Sequence, residues 1–287
     1  MGRALVIGSR GSALALVQSE QIADAIRKEA NAEVTVRVFS TRGDEILDRP
    51  LPEIGGKGLF TLELEQALLA GEIDLAVHSL KDLPTEDPEG LVLGAIPARA
   101  DARDALVGCS LEDLPTGCVV ATGSLRRRSQ LASARPDLKV IDIRGNVPTR
   151  LEKRDKGLCD ATILAVAGLD RLGIERADIF PLAVSEMVPA VAQGALGVQC
   201  RADDAPLLSI LAGVDDEETR LCVTGERAFL RQYGGGCNVP AGCHIRRVDR
   251  RFALDAVVSD EQGALRRFHC AGDDPTTMAM LAVDALA

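Results

Sequence analysis

Short apolar runs along the chain alternate with longer stretches in which apolar residues recur every three or four positions. Ala4–Ile7 predicts a strand and Leu14–Lys28 an amphipathic helix. Glu33–Phe39 alternates through Val34, Val36 and Val38, which predicts a second strand. Leu59–Ala70 predicts a helix, and Ile73–Val77 leads into another strand. This is the β-α-β rhythm of an open α/β sheet. The rhythm restarts near Asp101. Cys118–Ala121, Lys139–Ile143 and Ala161–Leu164 predict strands, each followed by a helix: Ser124–Ala134, Val147–Lys156 and a segment through Leu172. A second α/β domain follows, with Ala98–Ala100 near one crossing. Leu196–Cys200 predicts a further strand that returns to the first domain. A helix around Glu217–Arg231 precedes an alternating stretch (Phe252, Leu254, Ala256, Val258, then Leu265 and Phe268) and a closing helix, Pro275–Leu286, which together suit a small α+β domain. Between the second strand and the second helix, Ser40–Gly58 is polar and charged and carries Pro50 and Pro52. A long loop of that kind is usually functional or mobile.

Composition narrows the function classes. The 287 residues exceed one typical domain. Apolar residues make up 46% and aromatics only 2%, with no Trp and one Tyr, so the cores must be aliphatic, and the composition argues against base-stacking platforms. A net charge of −10 argues against general nucleic-acid binding. None of the eight cysteines forms a C-x-x-C pair; Cys237 and Cys243, with His244 adjacent, lack the paired spacing of a zinc site. Scattered cysteines in a chain of this length suit reduced thiols rather than a disulfide frame. The apolar run at the start is too short for a signal peptide, and no stretch approaches a membrane span. A cytoplasmic protein without membrane or nucleic-acid partners is expected.

The run Gly234-Gly235-Gly236-Cys237-Asn238-Val239-Pro240 suits neither a helix nor a strand interior, because glycine loses most entropy on ordering and proline lacks a donor. It reads either as a tight turn with an incidental cysteine or as an open loop that presents a thiol. Four strand ends share another signature. Ser9-Arg10-Gly11-Ser12, His78-Ser79-Leu80-Lys81, Thr122-Gly123-Ser124-Leu125-Arg126-Arg127-Arg128 and Arg144-Gly145-Asn146, with Thr149-Arg150 a turn later, each offer hydroxyls or free N–H groups and a cation. Strand ends that meet helix N-termini are where open α/β sheets bind ligands, and arginine suits carboxylates. One such site would be a capped helix with solvated arginines; four predict a polyanion cleft in an acidic protein. No P-loop or dinucleotide fingerprint is present, and Gly55-Gly56-Lys57-Gly58 reads as a hinge or lid that adds a cation. Asp82 stands among these cations. It either pairs with Lys81 or caps the turn before Pro84, or it stabilises a cationic intermediate or handles a proton. His78 reads as structural, and His244 and His269 have no partner carboxylate pattern.

These residues, with Thr41-Arg42-Gly43-Asp44, Gly58-Leu59-Phe60, Ala165-Val166-Ala167-Gly168-Leu169 and Gln193-Gly194-Ala195, occur in an order that resembles the porphobilinogen deaminase (hydroxymethylbilane synthase) family over nearly the whole chain. The resemblance implies a monomeric transferase of tetrapyrrole biosynthesis that joins four porphobilinogen molecules head to tail, with loss of ammonia, into hydroxymethylbilane. It implies one dipyrromethane cofactor per chain, bound through a thioether to Cys237, with Asp82 as the catalytic group and no metal. Lys81, Ser79, Asp82, Thr122, Ser124, Arg126, Arg127, Arg144 and Gly145 would bind the cofactor, and Arg10, Ser12, Lys57, Phe60, Arg150 and Gln193 the substrate. The implied fold is α/β with three domains, the first two resembling two-lobed periplasmic-binding-protein (type II) domains and the third a small α+β domain. Joined to the apolar pattern, it divides the chain into 1–98 plus roughly 195–214, then 99–194, then 215–287 with the cysteine loop. Gly123 stands where the family often has a second serine, Pro148 replaces a more usual glycine, Gly234 extends the glycine run, and Cys243 is unusual. A two-lobed anion-binding protein without catalysis is the rival; it would need neither Cys237 nor Asp82.

Overall fold

The computed structural model describes residues 4–41, 61–233, 240–260 and 262–287. The segment that holds Lys57 and Phe60, and the one that holds Cys237, lie outside the described residues. The chain divides into two compact units, Met1–Arg99 with Ala195–Arg220, and Ala100–Gly194 with Leu221–Ala287.

In the first unit the apolar start becomes β1 (Leu5–Arg10), flanked in parallel by β2 (Val34–Phe39) and β3 (Leu75–Ser79). A strand paired on both edges and covered on both faces must be apolar throughout, and Leu5, Ile7 and Leu75 are wholly buried. At the edge, the valine face of β2 loses cover along the strand: Val34 is buried, Val36 half-buried and Val38 exposed. Helix α1 (Ala13–Ala30) starts where Ser12 accepts the Ala15 N–H and stops at Asn31, whose φ of 47° is left-handed. It lays Ile22, Ala23 and Ile26 on the sheet. Each of the two buried isoleucine side chains contributes about 1.5–3 kcal/mol. Helix α2 (Leu62–Leu69) packs Leu64 and Leu68 against Ala76. β4 (Leu91–Ala95) precedes the crossing into the second unit, and β10 (Leu196–Arg201) lies antiparallel between β3 and β4. Helix α6 (Ala205–Ala212) covers β4 and α1.

The second unit contains β5 (Asp104–Val107), β6 (Val119–Ala121), α3 (Leu125–Ala134), β7 (Lys139–Ile141), α4 (Val147–Asp155), β8 (Ala161–Ala165), α5 (Val166–Arg171) and β9 (Ile179–Pro181). The first sheet runs β2-β1-β3-β10-β4 and the second β7-β6-β8-β5-β9. These are one topology. Three parallel strands are followed by an antiparallel one, which in each sheet is the first strand after the chain crosses over. This shared order is that of two doubly wound lobes. The second unit also holds most of α7 (Glu217–Gln232), the antiparallel sheet β11 (Ala241–Val248), β12 (Arg251–Ser259) and β13 (Leu265–Gly272), and α8 (Pro275–Leu286) against β13. The strands β4, β5, β9 and β11 and the helix α6 had no counterpart in the apolar pattern.

Candidate active site

In the first unit two parallel strands, β1 and β3, end on one edge of the sheet. β1 delivers Arg10 and, at the start of α1, Ser12. β3 delivers Ser79, followed by a tight 3-10 turn, Leu80–Asp82. Leu80 is buried and anchors that turn, so Lys81 and Asp82 face outward, with Asp82 exposed. Arg10, Ser12, Gln18, His78, Ser79 and Asp82 line a small pocket, in which Asp82 is the one carboxylate among the described lining residues. The Ser79 hydroxyl is oriented by the buried Gln18 amide, whose Nε2 lies 2.9 Å and Oε1 3.2 Å away. Gln18 was absent from the sequence-based site. Its signal was a glutamine within the buried stripe Ala15, Gln18, Ser19, Ile22 of α1. His78 forms the pocket's inner wall. Burial pushes its pKa down to about 4, with the Arg10 charge adding to the effect, so the ring is neutral near pH 7.

The second unit repeats the design. After β6, Thr122 is buried; its N–H donates to Ile141 O at 2.9 Å, and its hydroxyl accepts the Ser124 N–H at 3.2 Å. Ser124 caps α3 by accepting the Arg127 N–H. After β7 the chain turns at Gly145, φ +116°, where a Cβ would sit 2.6 Å from the Thr149 methyl. Asn146 then caps α4, with Pro148 in its first turn, a position that tolerates a missing donor. Arg150 Nε donates to Gly145 O at 2.7 Å and Lys153 Nζ to Arg144 O at 2.9 Å, so the cations of α4 also fix the turn before it.

The first two arginines of α3 are not solvated. Arg126 and Arg127 turn into the unit and close on Asp104, at 2.8 and 2.7 Å, and their remaining donors reach Val188 O (2.6 Å) and Ile163 O (2.8 Å). Gln193 completes the group by donating to Asp104 Oδ1 at 2.9 Å and Ala102 O at 2.8 Å. Burial alone would raise the Asp104 pKa, but Arg126 and Arg127 outweigh it and hold the carboxyl well below the usual carboxylate range. Two guanidinium groups against one carboxylate leave one positive charge in a low-dielectric setting. Arg126 and Arg127, expected to bind the cofactor, are therefore buried groups of the second unit rather than solvated arginines on a helix face. Asp104 was missed because β5 is only four residues long and shows no alternation.

The donors of both units are cations, hydroxyls and N–H groups at strand ends and helix N-termini, and the turn at Gly145 leaves no room for a side chain. In each unit taken by itself, such donors suit carboxylates. Among the described residues no cluster of three or more His, Cys, Asp or Glu could hold a metal. Cys243 and His244 are buried in β11, where His244 faces Glu226.

Residues 5–209 match the family model described as porphobilinogen deaminase, dipyromethane cofactor binding domain, and residues 220–286 match the porphobilinogen deaminase C-terminal domain. The porphobilinogen deaminase of Roseiflexus sp. (strain RS-1) is 47% identical over 293 residues, covering 100% of this chain and 96% of the relative. That of Desulforudis audaxviator (strain MP104C) is 51% identical over 267 residues, covering 92% of this chain and 86% of the relative. Among solved structures, the periplasmic aliphatic sulphonate binding protein SsuA from Escherichia coli aligns with a TM-score of 0.41 at 17% identity, over 82% of this chain and 71% of that one. At that score the alignment adds nothing to the strand order already described. Two matching domain models in series, and relatives near 50% identity over most of their length, have one consequence: the chain belongs to the porphobilinogen deaminase family.

Proposed function

We propose that this chain joins four porphobilinogen molecules head to tail into hydroxymethylbilane, releasing one ammonia per unit, with Asp82 as the catalytic group. The observation that carries this reading is the pocket at the ends of β1 and β3, where Asp82 stands beside Arg10, Ser12 and Ser79. The dipyrromethane, when bound through a thioether to Cys237, supplies the electron-rich pyrrole carbon to which the first unit is joined. Its residues in this chain would be Ser79, Lys81, Asp82, Thr122, Ser124, Arg126, Arg127, Arg144 and Gly145, with Arg126 and Arg127 acting through the net positive charge of the Asp104 cluster. Substrate would meet Arg10, Ser12 and Arg150, with Gln193 setting the Asp104 group, and with Lys57 and Phe60 from the segment outside the described residues.

The chemistry follows from charge. Each porphobilinogen carries two carboxylates, which cations and hydroxyls at strand ends hold by charge-assisted hydrogen bonds. When the substrate's C–N bond breaks, the electron pair leaves with ammonia and the pyrrole becomes a cationic azafulvene. The Asp82 carboxylate accepts a hydrogen bond from the pyrrole N–H and stabilises that charge as it develops. It can also take up the proton lost when the new carbon–carbon bond rearomatises the ring. With His78 neutral, Arg10 is the one cation among the described residues that line the pocket.

The chain acts as a cytoplasmic monomer without nucleic-acid or membrane partners. The acidic composition supports this, and among the described residues no helix is long and apolar enough to cross a membrane. A three-part division, with 215–287 as a separate domain, is kept as part of this reading because β11, β12 and β13 form their own sheet. The direct test is Asp82→Asn. Turnover of porphobilinogen should fall by a factor of about 100 or more, while the unfolding midpoint stays put because Asp82 is exposed. A near-normal rate would remove Asp82 from the catalytic role.

A further inference from the structure

Two polar residues in the wall of the Asp82 pocket have no part in holding carboxylates. Thr61 and His78 line it beside Val77, and they are only 2% and 6% exposed. Thr61 Oγ1 and His78 Nε2 have no hydrogen-bond partner among the described residues. Buried polar atoms are nearly always paired, because an unpaired one keeps its full desolvation penalty. Thr61 stands at the N-cap of α2, where a threonine hydroxyl ordinarily accepts an N–H of the first turn. Here it caps nothing, so its oxygen is left for another donor.

The groups behind this wall are polar as well. Gln199 on β10 is diagonal to His78 across the antiparallel pair, wholly buried, and neither of its amide atoms has a well-formed hydrogen bond among the described residues. Glu65, one helical turn beyond Thr61, is 9% exposed. Burial raises its pKa; Thr61 and Gln199 are close enough to oppose that rise, and Asp87 adds to it. His78 is neutral near pH 7, through burial first and the Arg10 charge second, and a neutral imidazole can leave Nε2 as an acceptor. The wall thus offers a hydroxyl and an imidazole nitrogen, with a carboxyl and an amide behind them. Anions in this pocket already have Arg10 and Ser12. Unpaired acceptors without a cation of their own suit a small group rich in N–H, which is an ammonium ion or ammonia.

We propose that Thr61 and His78, backed by Gln199 and Glu65, form the subsite for the substrate's amine and for the ammonia that leaves, a role that rests on the function proposed above. Porphobilinogen carries its aminomethyl group on the ring carbon next to the N–H, so a ring held through that N–H by Asp82 has its amine close by. The amine enters as an ammonium group. When the C–N bond breaks, both bonding electrons go with the nitrogen as neutral ammonia, and the ring keeps the positive charge. A subsite of this kind selects for an amine as leaving group, because a substrate without it leaves buried acceptors unmatched. The test compares kcat/KM for porphobilinogen with that for its hydroxymethyl analogue, which has the same ring and carboxylates but loses water. Each protein is the full chain, its cofactor content checked by intact mass. Thr61→Val keeps the shape and removes the hydroxyl; His78→Phe keeps a ring and removes Nε2. Each should narrow the preference for the amine by about 10-fold, the scale of one hydrogen bond to a charged group. Thr61→Val also relieves an unpaired buried oxygen, and it carries the test should His78→Phe fail to fold. Val34→Ala, a core truncation in β2, should lower the unfolding midpoint and keep the wild-type ratio, since a loosened fold affects both substrates alike. A ratio within about twofold of wild type in Thr61→Val and in any folded His78→Phe, or equal narrowing in Val34→Ala, would overturn the amine subsite alone. A wild-type chain that consumes neither substrate would overturn the proposed function, and this role with it.

Discussion

Asp104 is the residue on which most of the second unit's electrostatics turns. It faces Arg126, Arg127 and Gln193 at zero exposure. Two buried guanidinium groups depend on it, and a buried pair stripped of one partner is costly because the surviving charge is desolvated and unmatched. Asp104→Asn should therefore destabilise the fold by about 3–5 kcal/mol in denaturant titration; a change under about 1 kcal/mol would show that the guanidinium groups reach water instead. None of this was legible locally. Two consecutive arginines after an N-capping serine look like a solvated helix face, and the carboxylate that draws them inward sits 22 residues before Arg126 and 23 before Arg127. Arg10, Ser12, Ser79 and Asp82 were legible, because a strand end followed by a cap or a tight turn puts its side chains on one edge of the sheet.

At the scale of elements, the apolar pattern located the strands that carry runs of branched residues and the described helices other than α6, which it missed although Asp204 caps it. It missed β4, β5 and β9, which are three to five residues long and lack alternation: β5 is buried throughout between two neighbours, whereas β4 and β9 are edge strands. It also passed over β11, whose small and polar residues Gly242, Cys243 and His244 are buried by tertiary packing. The pairing of β3 with β10 has its own consequence. His78 on β3 and Gln199 on β10 are diagonal neighbours on one face, both buried, and His78 Nε2 and both Gln199 amide atoms lack a well-formed hydrogen bond. The unfolded chain binds a proton at this histidine near pH 6.5, but the folded chain only near about 4. In that window the unfolded state holds more protons, so stability is present above about pH 6.5 and is lost as pH falls toward 4. The loss amounts to about 3 kcal/mol when complete. His78→Gln should flatten this part of the stability–pH curve; an unchanged slope would mean that His78 titrates normally.

For the whole molecule, two sheets with one strand order each end in capped helices and cations, within a chain of net charge −10. A protein that only held anions would need no more than that. The proposed function adds a thiol that carries a primer and a carboxylate that stabilises a cation. The thiol lies outside the described residues, so its role rests on family membership and on the sequence around it. Intact mass of the purified chain addresses it directly. The account predicts wild-type protein heavier than its sequence by one dipyrromethane, with Cys237→Ser at the bare polypeptide mass. A wild-type chain at the bare mass after exposure to porphobilinogen, or a Cys237→Ser chain that still carries the added group, would contradict it.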